Sequence, residues 1–310
     1  MLSRAAERIY WTGRYLERAQ NTARIVQQYS QLLLDLPEEV GVEWMELVAI
    51  FGARDAYRMT GRGPSETEIL NFLLADANSA VSLACSIQMA RDNIRNSRDL
   101  LPHESWESVN ELHQYARQRL ALTAAGENRF EVLSECIARC QGINGILADT
   151  MSHHSPFHFL TLGASIERAD MTSRVIDVAA AYLQENERLV LRYGSTLWTN
   201  VLKSVSGFQM YRQYCQPEVE GRAVIDFLLN DQAFPRAMQS CITTAKRTAA
   251  MLPRSVALIG ALDDAEESLP GTLPEDLDGA AVTDLMDVLQ KKLGAAHLVV
   301  VDTWFLPEDG

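Results

Sequence analysis

The chain has 310 residues, 47% of them hydrophobic and 22% charged, with a formal net charge of -13; this make-up suits a folded protein with a substantial core and excludes a disordered chain or a general nucleic-acid binder. No run of about 18 uninterrupted apolar residues occurs, and Arg4, Glu7 and Arg8 stand where a signal peptide needs an apolar stretch, so no membrane span is expected and the expected compartment is the cytoplasm. Five cysteines, Cys85, Cys136, Cys140, Cys215 and Cys241, include no CxxC pair and fit reduced thiols.

Ser3 is placed to cap a first helix running to about Leu34, where Pro37 follows; Ile9, Leu16, Ala19, Ala23 and Val26 fall on one side of it at 3.6-residue spacing. A second helical run is expected over 42–60, ended by the breaker Gly61-Arg-Gly-Pro64. Ser65-Glu-Thr-Glu68 opens a third, over 66–75, with acids in its first turn. Longer helices are expected over 76–100, 104–124 and 129–151, and Pro156 forbids an uninterrupted continuation through Ser152-His-His-Ser-Pro-Phe-His158. Towards the end, the acidic stretch 263–279 reads as an exposed loop or linker, because residues 263–287 hold nine acids and no Lys or Arg. A last helix is expected over 280–293, and Leu298-Val-Val-Val-Asp-Thr-Trp-Phe305 has strand propensity, so a short extended tail is expected there.

One pattern occurs twice. Gly13, Glu17, Arg18, Ala19, Thr22 and Arg24 recur as Gly163, Glu167, Arg168, Ala169, Thr172 and Arg174, each at an offset of 150. Trp44 with Tyr57-Arg58 matches Trp198 with Tyr211-Arg212 at 154, and Phe72-Leu-Leu-Ala-Asp76 matches Phe227-Leu-Leu-Asn-Asp231 at 155. Fixed offsets with small drift indicate an internal duplication. The expected fold is all-α: a helical bundle of two duplicated repeats about a pseudo-twofold axis. Residues 1–125 form the first repeat, 126–156 a connecting helix and loop, 157–253 the second repeat, and 254–310 the acidic linker, final helix and tail, all within one compact domain.

At 100° per residue, Arg14, Glu17, Arg18, Asn21 and Arg24 share one arc of the first helix, opposite its apolar face. Glu167, Arg168 and Arg174 share the same arc in the second copy. Arginine at these places, with no lysine, suits bidentate pairing to carboxylate or phosphate. Three readings stand. The Glu and Arg groups form a buried lock, Glu17 with Arg168 and Glu167 with Arg18; or they line a cleft for an anionic group; or they are a solvated face. The candidate ligand-binding set is Arg14, Glu17, Arg18, Arg24, Arg58, Glu167, Arg168, Arg174 and Arg212, with no catalytic residue assigned.

Trp11-x-Gly-Arg-Tyr-x-Glu-Arg-Ala and Gly163-x-x-Ile-Glu-Arg-Ala-Asp resemble the motif of the alpha-E proteins, an all-helical family with a recurring Glu-Arg pair, and the similarity covers nearly the whole chain. Ala164 departs from the first copy, which has Arg14. The resemblance implies a bacterial protein encoded beside circularly permuted ATP-grasp ligases and transglutaminase-like proteases, in systems that make or modify peptides. It brings no established catalytic residue and no cofactor.

The expected function is therefore an accessory or partner subunit of an ATP-grasp-type amide or peptide ligase, with an Arg/Glu-lined cleft for an anionic group. The alternatives are a stand-alone enzyme with Glu17 or Glu167 as general base, or a purely structural interaction module. A metal site drawn on Cys136, Cys140, His153, His154 and His158 is weaker than buried thiols on a core stripe, so no metal is expected. A di-iron bundle would need Glu-x-x-His, which is missing, as are P-loop, GxGxxG and GxSxG patterns. Trp44 and Trp198 suit core anchors, and a homo-oligomer is compatible with the sequence.

Overall fold

The fold rests on two long helices that cross at their glycines. In the computed structural model, which describes residues 3–37, 41–185, 187–273 and 278–306, α1 spans Ser3–Asp35 and α8 spans Ser155–Glu185. Ser3, expected as the cap, is helical and is the first described residue of α1. Pro156 stands in the first turn of α8, where its missing N–H removes no intrahelical bond. A Cβ on Gly13 would lie 2.1 Å from the Leu160 carbonyl oxygen, and one on Gly163 would lie 2.2 Å from that of Tyr10. Only glycine lets the two backbones come this close.

On each long helix two others pack, and a third packs on those two. The helices α5 (Leu83–Arg95), α6 (His103–Ala124) and α7 (Arg129–Thr150) complete a bundle on α1, with α6 lying on both α5 and α7. In the same way α12 (Met238–Ala249), α13 (Val256–Glu266) and α14 (Gly279–Val300) complete one on α8. The shorter helices α2 (Trp44–Ile50), α3 (Arg54–Met59), α4 (Glu66–Leu70), α10 (Phe208–Tyr214) and α11 (Gly221–Asn230), with α9 (Glu187–Ser204), fill the spaces between. Among the described residues there is no strand, and no helix is long and apolar enough to cross a membrane.

Several boundaries differ from expectation for local reasons. The run 42–60 is two helices, because Gly52 takes φ +61° and turns the chain between α2 and α3. The run 76–100 becomes helical only at Leu83. Before it, Asp76 accepts from Asn78 N–H (2.9 Å), Ser82 Oγ donates to the Asp76 carbonyl (2.6 Å), and the same hydroxyl accepts from Cys85 N–H (3.0 Å) to cap α5. The helix α7, expected as a connector, lies along α1 and α6 as part of their bundle.

The end of the chain corrects two expectations. Leu298-Val-Val-Val-Asp-Thr-Trp-Phe305 is helical, α14 continuing to Val300 and then widening into one π turn over Val301–Phe305. Leu289, Leu293, Ala296, Val300 and Trp304 are buried at helical spacing, so core packing outweighs the β preference of the valines. Trp304 Nε1–H donates to the Pro253 carbonyl (2.9 Å) and its ring meets Phe159 edge-on. The acidic stretch 263–279 is not one exposed loop either. Its first acids lie in α13, where Lys246 pairs with Asp263 (2.5 Å) and Glu266, and Arg222 holds the carbonyl of buried Leu273 (2.6 Å). Residues 274–277 of that stretch lie outside the described residues.

Candidate functional site: a buried Glu-Arg layer

The polar arc of α1 faces α8, not solvent, because the glycine crossing sets the two arcs against each other. Glu17 is 1% exposed and Glu167 is fully buried, which removes the solvated-face reading. Each carboxylate is held by two arginines. Glu167 accepts from Arg14 Nε at 2.6 Å, from Arg18 Nε at 2.5 Å and from Arg18 Nη2 at 3.0 Å. Glu17 accepts from Arg168 Nη2 at 2.8 Å, and Arg236 Nη1 lies 2.6 Å from its other oxygen as a charge contact. Both cross pairs expected from the repeat, Glu17 with Arg168 and Glu167 with Arg18, are present.

Arg236 is the member that the repeat pattern does not reveal. It precedes α12, where the Thr172 hydroxyl donates to its carbonyl (3.0 Å), and its guanidinium also donates to Asn21 Oδ1 (2.7 Å). The signal for it was indirect. Ala164 leaves Glu17 one arginine short of what Arg14 gives Glu167, and a second arginine was therefore required from elsewhere.

Burial alone would push both carboxyls up, but the guanidinium groups outweigh it. Arg168 and Arg236 hold Glu17 far below the usual carboxylate range, and Arg14 with Arg18 bring Glu167 down to about 2. Both are ionised at neutral pH, and Glu17 Oε1 has the Arg236 charge beside it but no hydrogen bond. Arg14 and Arg18 also lie over the rings of Trp11 (5.3 Å) and Tyr15 (5.6 Å), which seal one rim of the layer.

The other expected residues are placed as follows. Arg174 pairs with Asp170 one turn earlier on α8, at 2.9 and 3.1 Å. Arg24 is 4% exposed and donates to Asn21 Oδ1 at 3.4 Å. Arg58 and Arg212 stand apart from the layer on the surface. Arg58 pairs with Asp55 (2.8 Å) and lines a shallow recess with Arg54, Tyr57 and Arg62, and Arg212 lies beside the Phe208 ring (5.7 Å).

Cys136 and Cys140 sit on the buried stripe of α7, and burial pushes the Cys136 thiol up to about 12. Among the described residues no three His, Cys, Asp or Glu side chains gather as metal ligands. A separate recess between α1, α2, α8 and α9 is lined by Tyr29, Ile50, Val175, Leu197 and Val201 and is mostly apolar.

A family model for Alpha-E, described as "a predicted alpha-helical domain with a conserved ER motif", matches residues 1–305. No curated protein and no solved structure matches the chain.

Proposed function

The chain belongs to the alpha-E family, and from that premise we propose that it is a non-catalytic partner subunit of an ATP-grasp-type amide or peptide ligase system. Its partners in this reading are a circularly permuted ATP-grasp ligase and a transglutaminase-like protease, as the family resemblance implies. The Glu-Arg pairs are the lock that holds its two halves in one arrangement. The observation that carries this is the occupation of both carboxylates: Glu17 and Glu167 are buried and each is held by two arginines. A general base needs a free lone pair near substrate and a pKa near the working pH. Glu17 and Glu167 are both buried and both held well below neutral pH, so the stand-alone enzyme is the weaker reading.

The two halves are, in the same proposal, copies of one unit related by a pseudo-twofold axis, residues 3–150 and 155–300. This enlarges the second repeat beyond 157–253 and takes α7 and α14 into the units. Contacts between α1 and α8 come in exchanged pairs: 17 with 168 and 167 with 18, then 13 with 160 and 163 with 10. Such exchange is what a twofold relation requires. Matched details support it at the drifted offsets. The Tyr57 hydroxyl donates to the Gly63 carbonyl and that of Tyr211 to Glu218 (2.5 and 3.0 Å), while Tyr57 and Tyr211 meet Phe72 and Phe227 edge-on. The helices α7 and α14 are both 22 residues long and begin 150 residues apart.

Co-expression with the neighbouring ligase, followed by gel filtration, tests the function. The expected result is one complex containing both chains, with ligation by the ligase weakened when the chain is left out and no turnover by the chain alone. Separate elution of the two proteins, or amide formation or peptide hydrolysis by the isolated chain, would overturn it.

A further inference from the structure

The two motif copies differ in how their last arginine is neutralised. Arg174 in α8 has Asp170 one turn before it, bound through two hydrogen bonds. The position one turn before Arg24 in α1 is Gln20, a neutral side chain that instead accepts from Asn144 Nδ2 (3.3 Å). Arg24 is therefore a buried guanidinium with no carboxylate at ion-pair distance among the described residues, although Glu17 is near enough to be felt. Arg236 and Arg168 stand beside it, and burial followed by the charge of Arg236 pulls Arg24 down to about 9. An uncompensated buried charge is costly unless something supplies the counter-charge.

Donors without acceptors lie in the same place. Asn21 is 3% exposed; its oxygen is taken by Arg236 and Arg24, while its buried Nδ2 donates to nothing, and Arg168 Nε is likewise buried without an acceptor. The Cys140 thiol nearby cannot serve, since burial pushes it up and keeps it neutral. Arg168 and Arg236 reach solvent here, their side chains being 26% and 12% exposed.

We propose that Arg24, Arg236, Arg168 and Asn21 form a binding site for the carboxylate of a small molecule, which supplies to Arg24 what Asp170 supplies to Arg174. The second copy identifies the chemistry: two oxygens accept from one guanidinium face. Because Arg24 and Asn21 are almost completely buried, acetate, the smallest simple carboxylate after formate, is the probe. The site does not depend on the partner reading, because it rests on the difference between Gln20 and Asp170 and on the unpartnered donors beside Arg24.

Thermal unfolding in sodium acetate against sodium chloride, at matched ionic strength and pH, tests it, with inorganic phosphate as the third arm. Acetate is expected to raise the melting temperature of the unaltered chain by about 3 °C or more relative to chloride. Gln20→Asp builds the missing carboxylate in place and is expected to raise the melting temperature in chloride and abolish the acetate response. Arg24→Met, which removes the unpaired charge and keeps most of the volume, is expected to abolish the response as well, so the test survives if one variant fails to fold. An unaltered chain indifferent to acetate, or an equal acetate response in Arg24→Met, would overturn the site. A phosphate response larger than that of acetate would overturn the assignment to a carboxylate.

Discussion

Glu167→Gln lowers the free energy of unfolding by about 3–5 kcal/mol, the usual cost of removing one member of a buried ion pair. Gln keeps the volume of Glu, so packing is not the cause. The cause is that Arg14 and Arg18, which make three hydrogen bonds to this one carboxylate, are left facing each other with no counter-charge. Arg14 is 8% exposed and cannot turn out to water without opening the crossing of α1 and α8. Replacing all three groups, as Glu167→Met with Arg14→Met and Arg18→Met, should recover most of the loss, because an apolar layer of similar volume carries no desolvation cost. Urea unfolding of the single and triple variants checks both values. A loss below about 1 kcal/mol for Glu167→Gln would mean that the layer is hydrated and the pairing weak.

Gly13→Ala and Gly163→Ala each destabilise the chain by about 3 kcal/mol or more, above the common range for one methyl group forced into a packed interior. In an open helix the same change gains about 1 kcal/mol, since alanine favours helix over glycine. Here the sign reverses because the new Cβ would meet a backbone carbonyl oxygen, 2.1 Å away for Gly13 and 2.2 Å for Gly163. A carbonyl inside a helix cannot step aside as a flexible side chain can, so the helices must separate. Separation lengthens the Glu-Arg contacts a turn further on, which couples the two effects. Gly142 and Gly145 on α7 have open space around their Cβ positions and serve as controls, with a small gain expected for either. Thermal melts of the four variants give the comparison, and equal behaviour of all four would contradict the close crossing.

Much of this site could be read from residue spacing, and the limits of that reading have identifiable causes. The offset of 150 offered the pairing of Glu17 with Arg168 and Glu167 with Arg18 as one of three readings, since side chains of one arc on two crossing helices can exchange partners. The helical wheel also gathered Arg14 and Arg24 correctly. It could not say which side of α1 faced water, since both sides are buried: the apolar side against α5 and α7, the charged side against α8. Arg236 was missed because it lies outside the repeated motif and answers a gap, Ala164, left in it. Arg58 and Arg212 recur as faithfully as the motif does, yet they are exposed, and what recurs there structurally is the buried ring of Tyr57 and Tyr211 beside them. The C-terminal valines read as a strand because local preference is judged without the partners Phe159 and Tyr10 that bury Trp304 and Phe305.

If the Glu-Arg motif joins α1 to α8 through its cross pairs, a double-mutant cycle on Glu17→Gln and Arg168→Met must show coupling. Equilibrium unfolding of the unaltered chain, the two single variants and the double variant gives the coupling energy between groups 2.8 Å apart on the two helices. The expected coupling is about 1.5–3 kcal/mol, with the double variant more stable than the sum of the two single losses predicts. It stays below the full cost of losing Glu17 because Arg236 still needs that carboxylate. Additive losses, within about 0.5 kcal/mol of zero coupling, would contradict the lock.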